Sequence, residues 1–243
     1  PDTPTNNFAT MNPLWQINLA STTEATLSDG NLTATTASTP VYNNSVATMP
    51  FPPTGKWYCE VKFTGAVNSA IYAGVIAGLG QVPGATYNVN NFYVAGASSG
   101  DCSISLLSGN KRINGANSSY GSVVASGSII QLAVDMDNRK IYFGDDGTWM
   151  NSGDPVAGTG YASNALVDEV FLALTSYSSG DKYEVNFGQI AFAYTPPTDF
   201  LALSTANLPE PPIGPNSDIL PSDVFATVLY TGNGTAIGSG GKA

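Results

Sequence analysis

Gly55-Lys56-Trp57-Tyr58-Cys59-Glu60-Val61-Lys62-Phe63 decides the fold. Its hydrophobicity has a period of two. Trp57, Cys59, Val61 and Phe63 fall on one side, and Tyr58, Glu60 and Lys62 on the other. Successive side chains of a strand point to opposite faces, so this pattern predicts a strand with one dry and one wet face.

The same alternation recurs on both sides of this stretch. Upstream, Ala25-Thr26-Leu27 and Leu32-Thr33-Ala34-Thr35 flank Asp29-Gly30, a hairpin signal. Downstream, Ile71–Ala77 reads as an inner strand and 102–107 as another, followed by a turn at Gly109-Asn110 and a loop through Tyr120-Gly121. Ile130, Leu132, Val134 and Met136 are expected to face inward, and Gln131, Ala133 and Asp135 outward. Asp137-Asn138-Arg139 then turns the chain into Lys140–Phe143, and Asp145-Asp146-Gly147 turns it again ahead of Trp149. Val170–Leu174 and Lys182–Gly188 complete the set, with Tyr183, Val185 and Phe187 sharing a face. Residues 80–98 read as a long loop with a short strand at 91–95, and 1–14 as turn-rich and irregular. No helix of three turns is legible. Many short strands between Gly, Pro and Asn turns predict an all-β, antiparallel β-sandwich. Trp57, Val134, Phe143 and Phe187 are expected between its layers.

Composition narrows the function. The chain has 243 residues, 42% hydrophobic and 10% aromatic, enough for a real core. Charged residues are only 11%, against about 25% in ordinary globular chains. Eight Lys+Arg stand against 18 Asp+Glu, a net charge of -10. Phosphate-backbone binding needs basic groups that release counterions, so no nucleic-acid partner is expected. There is no histidine, which removes the commonest general base and metal ligand. No cofactor and no metal are expected. Cys59 and Cys102 sit in alternating apolar runs and read as small buried hydrophobes; whether they bond is open. No run of about 20 apolar residues suggests a membrane-spanning helix.

After about residue 203 the character changes. Leu208-Pro209-Glu210-Pro211-Pro212-Ile213-Gly214-Pro215 reads as a stiff, extended linker. Val224–Tyr230 reads as a lone terminal strand before a Gly-rich end. The expected organisation is an N-terminal extension (1–24), a sandwich (25–203), a Pro-rich linker (204–221), and a further module or inter-subunit strand (222–243). The start at Pro1-Asp2-Thr3-Pro4, without Met, suggests a piece of something longer.

Taken in order, seven pieces resemble the SPRY domain: Gly55–Val61, Tyr72–Val75, Ser119–Gly121, Gly127–Asn138 with Ile141–Phe143 and Gly147, Val170–Leu174, Val185–Gln189, and Pro196–Phe200. The resemblance runs over roughly 25–203 and implies a bent sandwich that holds protein partners on loops at one end. Asp145 and Asp146 stand where the family usually has Asn-Gly. No binding residue carries over by motif. The flanks, Thr5–Leu14 and Phe225–Gly234, resemble the joins of SPRY-like modules in virion proteins of tailed bacteriophages, marine ones especially.

Candidate site residues are few. Asp135, Asp137 and Asn138 imitate the start of a calcium loop but continue into a strand, so they read as a turn. Asp145, Asp146 and Asp154 could gather a surface cation, but read more simply as a solvated acidic turn. Glu60, Glu184, Asp135 and Glu169 are the strand-borne carboxylates a glycosidase would need in pairs; most lie on outward positions and none has a motif, so no catalytic residue is named. The aromatics Tyr87, Phe92, Tyr93, Tyr161 and Tyr177 lie in or beside loops and are the candidate binding residues, since exposed rings give rigid contact area. Tyr120 and Trp149 read as core.

These readings converge on a non-catalytic structural or adhesive module at the surface of a phage particle, in a fibre, tail or head-surface protein. The partners expected are other virion proteins, copies of the same chain, and a host surface glycan or protein. A glycan-binding, lectin-like domain is the first alternative, and a polysaccharide-degrading enzyme the second.

Overall fold

The computed structural model describes residues 3, 6–18, 25–36, 43–65, 71–77, 100–113, 115–209 and 219–225. Among them are strands β1 (Met11–Asn18), β2 (Thr26–Ser28), β3 (Thr33–Thr35), β4 (Asn43–Phe51), β5 (Lys56–Thr64), β6 (Tyr72–Ala77), β7 (Cys102–Ser105) and β8 (Asn110–Ile113). They continue with β9 (Ala116–Ser119), β10 (Ile129–Asp135), β11 (Lys140–Asp145), β12 (Thr148–Trp149), β13 (Val170–Ser176), β14 (Lys182–Asn186) and β15 (Leu201–Ala202). The chain divides into two units, Pro1–Leu208 and Pro209–Ala243.

The strands of the first unit form two sheets. One runs β1-β4-β13-β6-β7-β8-β9 and the other β12-β11-β10-β5-β14-β3-β2. Every pairing is antiparallel except that of β15, which lies parallel to the start of β5, with Leu201 opposite Trp57. The decisive stretch is therefore a central strand of the second sheet, flanked by β10 and β14. Trp57, Cys59, Val61 and Phe63 point inward and are at most 1% exposed. They share one apolar cluster with Val134, Phe143, Phe187, Cys102, Ile104 and Leu172. Burying each such large side chain contributes about 1.5–3 kcal/mol. Tyr183 on β14 ties the layers together: its hydroxyl donates to the carbonyls of Tyr72 (3.2 Å) and Thr175 (2.7 Å) in the opposite sheet. Cys59 and Cys102 are both buried and free.

The outer face of the second sheet is not wet. Gln131, Ala133, Asp135, Tyr58 and Glu60, all placed outward by their alternation, are at most 4% exposed. Tyr58, Ala133, Tyr142 and Phe200 form a second cluster there, with Trp149, Tyr161 and Phe192 packed on it. The chain returns after β14 and covers this face. Glu60 pins it: Oε2 accepts the Ala193 amide (2.8 Å), and Oε1 accepts the Tyr194 amide (2.8 Å) and the Tyr58 hydroxyl (2.9 Å). Only Lys62 of the expected wet set is exposed.

Three further differences from the sequence reading have local causes. Residues 11–14, expected irregular, belong to the edge strand β1; its pairing with β4 shifts register between Met11 and Gln16, where Pro13 offers no amide. The span read as a turn and loop near 109–120 holds the hairpin β8–β9, whose polar sequence hides the alternation. Pro221–Val224 is one helical turn rather than the start of a strand, and 226–230 lie outside the described residues, as do 210–218 of the linker and the strand expected at 91–95.

The two ends of the sandwich meet. Asn7 accepts the Thr205 amide (2.9 Å), Ala9 donates to the Leu203 carbonyl (3.2 Å), and Phe8 bridges to Ser204.

Candidate functional site

Three of the four candidate carboxylates, Glu60, Asp135 and Glu184, are occupied with structure, and Glu169 lies half-buried just before β13. Both Glu60 oxygens hold the returning chain. Asp135 accepts from the amide (3.0 Å) and side chain (2.9 Å) of Asn138, closing its own turn, and lies 3.9 Å from Lys56 Nζ. Glu184 pairs with Lys182 at 3.3 Å. A hollow of about 220 Å³ does bring Glu60 and Glu184 to one wall, beside Lys62, Asn186 and Ile190. Its acids are already partnered, so this hollow offers no free acid and base.

A second cleft, of about 350 Å³, opens where β11 and β12 end. It is lined by Gly121, Ser122, Asp145, Thr148, Trp149, Met150 and Asn151. One wall follows from a two-residue turn. Asp146 and Gly147 sit at φ 44° and 85°, the paired left-handed geometry of a type I′ hairpin, which sets Thr148 opposite Asp145 and Trp149 opposite Gly144. The chain then makes a short 3₁₀ turn in which Asn151 and Ser152 also hold positive φ, 54° and 51°. Two adjacent non-glycine residues in this region are strained, and strain of this kind clusters at working sites.

The other wall depends on close approach. A Cβ on Gly121 would lie 2.5 Å from Met150 Sδ, so glycine lets the 120–122 segment come this near without displacing the Met150 side chain. Tyr120 anchors that segment. It is 5% exposed, packs edge-on against Phe143, and donates its hydroxyl to the Gly160 carbonyl (2.9 Å).

Asp145 is the chemically distinctive group of the cleft. Its Oδ1 is buried and has no hydrogen-bond partner among the described residues. Burial, then the neighbouring Asp146, push its carboxyl above the usual range, and a hydrogen bond from Ser128 only partly opposes this. Among the described residues, none that lines the cleft is basic.

The structure scatters the predicted site residues. Tyr87, Phe92 and Tyr93 lie outside the described residues. Tyr161 is half-buried on the outer face of the second sheet, edge-on to Tyr142 and capped by Lys140 Nζ at 4.9 Å. Tyr177 is half-buried just beyond β13 in the first sheet, beside the Asp181 turn. Asp145, Asp146 and Asp154 do not join: Asp154 accepts the Val156 and Ala157 amides of its own loop, and no metal-holding group of three is present among the described residues. Tyr120 is core. Trp149, expected as core, is half-buried and lines the cleft. Ser122, Thr148 and Asn151 were missed, because nothing local in a Ser, Thr or Asn shows that a distant glycine opens space beside it.

No family model matches the sequence, and no curated protein is similar to it. Solved structures are similar in shape. The SPRY domain of human HERC1 superposes with a TM-score of 0.51 at 18% identity, over 74% of this chain and 99% of that one. Another human SPRY domain gives a TM-score of 0.51 at 18% identity, over 68% of this chain and 96% of that one. The chain therefore has a SPRY-like fold, an antiparallel β-sandwich of the kind these two human domains adopt.

Proposed function

We propose that this chain is a non-catalytic contact module whose cleft at the β11–β12 end meets a partner protein. The observation that carries the reading is the division of labour among its polar groups. Glu60, Asp135 and Glu184 are partnered within the fold, whereas Asp145, which lines the cleft, joins no ion pair among the described residues. A built cleft without a free acid–base pair fits recognition better than hydrolysis.

The setting we propose is the surface of a tailed-bacteriophage particle, with the chain in a fibre, tail or head-surface protein, in contact with other virion proteins, copies of itself or a host surface. The resemblance of Thr5–Leu14 and Phe225–Gly234 to joins in such proteins supports this. So does the scarcity of Lys and Arg, which leaves few trypsin sites. Repetition on a particle would let weak contacts add by avidity. A host glycan as ligand is the second reading, favoured by the Trp149 wall and the hydroxyl and amide groups of Ser122, Thr148 and Asn151.

Two measurements test the proposal. An antibody raised against the full chain is expected to label purified tailed-phage particles in electron micrographs; failure to label any particle rejects the virion setting. Cross-linking of the full chain to its particle neighbours is expected to be lost when Thr148→Trp fills the cleft. Cross-links that persist in that variant reject the cleft as the contact.

A further inference from the structure

We infer that the segment Phe225–Tyr230 of one copy adds as a strand to the free edge of β9 on a neighbouring copy, linking copies head to tail. This contact is separate from the one proposed at the β11–β12 cleft. The acceptor is read from the sheet. β9 closes one end of the first sheet, and among the described residues it pairs with β8 alone. All four of its residues, Ala116, Asn117, Ser118 and Ser119, are exposed. Asn110 stands opposite Ser119 but donates its amide to Ser108 Oγ (3.3 Å). Ser119 therefore turns its amide and carbonyl away from β8, and the alternation of an antiparallel ladder turns those of Asn117 the same way. Such an edge is a template for another strand unless it is short, bulged or guarded by charge or proline. The other three sheet ends have such protection. β1 breaks register around Pro13, β2 has three residues and β12 has two. β9 keeps register throughout and carries no charge and no proline.

The donor is read from the chain that follows the sandwich. Phe225-Ala226-Thr227-Val228-Leu229-Tyr230 is uncharged, free of Pro and Gly, and rich in residues that favour strands. Phe225 is 75% exposed and Val224 before it 58%, so the described start of this run is left uncovered by its own copy. No second run of this kind is legible in residues 209–243, and one strand makes no sheet. The small side chains of β9 leave room beside them for the Phe, Leu and Tyr side chains of an incoming strand. A donor and an acceptor on different parts of one chain make a heterologous contact, which builds rings or open filaments.

The test uses the full chain in sedimentation velocity. The wild type is expected to associate as its concentration rises towards about 1 mM. Val228→Pro breaks the donor. Asn117→Pro removes an outward amide of β9 and keeps its bonds to β8, and Ser119→Lys sets a charged guard on the same edge without removing any amide. Each variant is expected to raise the dissociation constant at least about tenfold. An equimolar mixture of Val228→Pro with Ser119→Lys is expected to regain heterodimers, because the first keeps the acceptor and the second the donor. A wild type that stays monomeric to about 1 mM, full association in Val228→Pro or in both β9 variants, or a mixture no better than its components each overturns the inference. Thr148→Trp is expected to associate as the wild type does. If that variant alone loses association, the cleft joins the copies and the β9 edge does not.

Discussion

Replacing Glu60 with alanine is expected to peel the returning chain from the second sheet. Glu60 is 4% exposed and accepts three hydrogen bonds, from the Ala193 and Tyr194 amides and the Tyr58 hydroxyl. The donors differ in what they lose. Ala193 is exposed and Tyr194 half-exposed, so water can replace the carboxylate there; each such bond is worth about 0.5–1.5 kcal/mol. Tyr58 is fully buried, and leaving its hydroxyl without this acceptor costs about 1–3 kcal/mol. The sum is about 2–6 kcal/mol. With a urea slope of about 2–3 kcal/mol per molar for a protein of this size, the unfolding midpoint falls by roughly 1–3 M. Tryptophan fluorescence in urea measures the shift, and chymotrypsin digestion under native conditions should cut faster at Phe192 and Tyr194. Glu60→Gln should fall between, because its amide nitrogen presents a donor to backbone amides that need an acceptor. A midpoint for Glu60→Ala within about 0.2 M of wild type, or unchanged cleavage at those two residues, would refute the assignment of Glu60 as the pin.

Trp57→Ala, which empties the centre of the main cluster, should cost about 3–5 kcal/mol and lower the melting temperature by roughly 10 °C; calorimetry checks it. Gly147→Ala should cost about 1–2 kcal/mol, since the residue holds φ 85° and an added Cβ would sit 2.8 Å from the Tyr194 ring; the urea midpoint reports it. Burial pushes the Cys102 thiol up to about 12 and the Cys59 thiol higher still, so native protein at pH 8 should leave Ellman's reagent colourless and release two equivalents only in denaturant. Asp145 holds its proton more tightly in the folded than in the unfolded chain. Its ionised form therefore opposes folding, and that penalty is absent below the unfolded-state value and complete once pH rises past the folded one. Asp145→Asn should melt higher than wild type at pH 7, with the gap closing as pH falls through the carboxylate range; a gap that widens instead refutes the assignment.

The inner halves of the strands were legible because burial on one face writes a period of two, as at Trp57, Cys59, Val61 and Phe63. The Asp29-Gly30 and Asp146-Gly147 hairpins were legible because few residues tolerate positive φ. The covered outer face was not. Its lid has no period of its own, and Tyr58, Glu60, Gln131 and Asp135 look the same in sequence whether solvent or the 190s segment lies above them. The β8–β9 hairpin, rich in Asn, Ser, Lys and Arg, buries too little apolar surface to mark itself. At the candidate site, Asp145 and Trp149 each stood out singly. Their joining in one cleft depends on the contact of Gly121 with Met150, across some thirty residues of intervening chain, and no local pattern encodes that.

The lacing of Asn7–Ala9 to Leu203–Thr205 bears on how the sandwich would respond to tension. A force applied between these two points would first meet a handful of bonds that open one after another, like a zip. Both sheets lie inside the loop so closed, and they would stay unstretched until the last of those bonds gave way. A body threaded this way could serve as a bead on a longer filament, shielded from the pull that the string transmits.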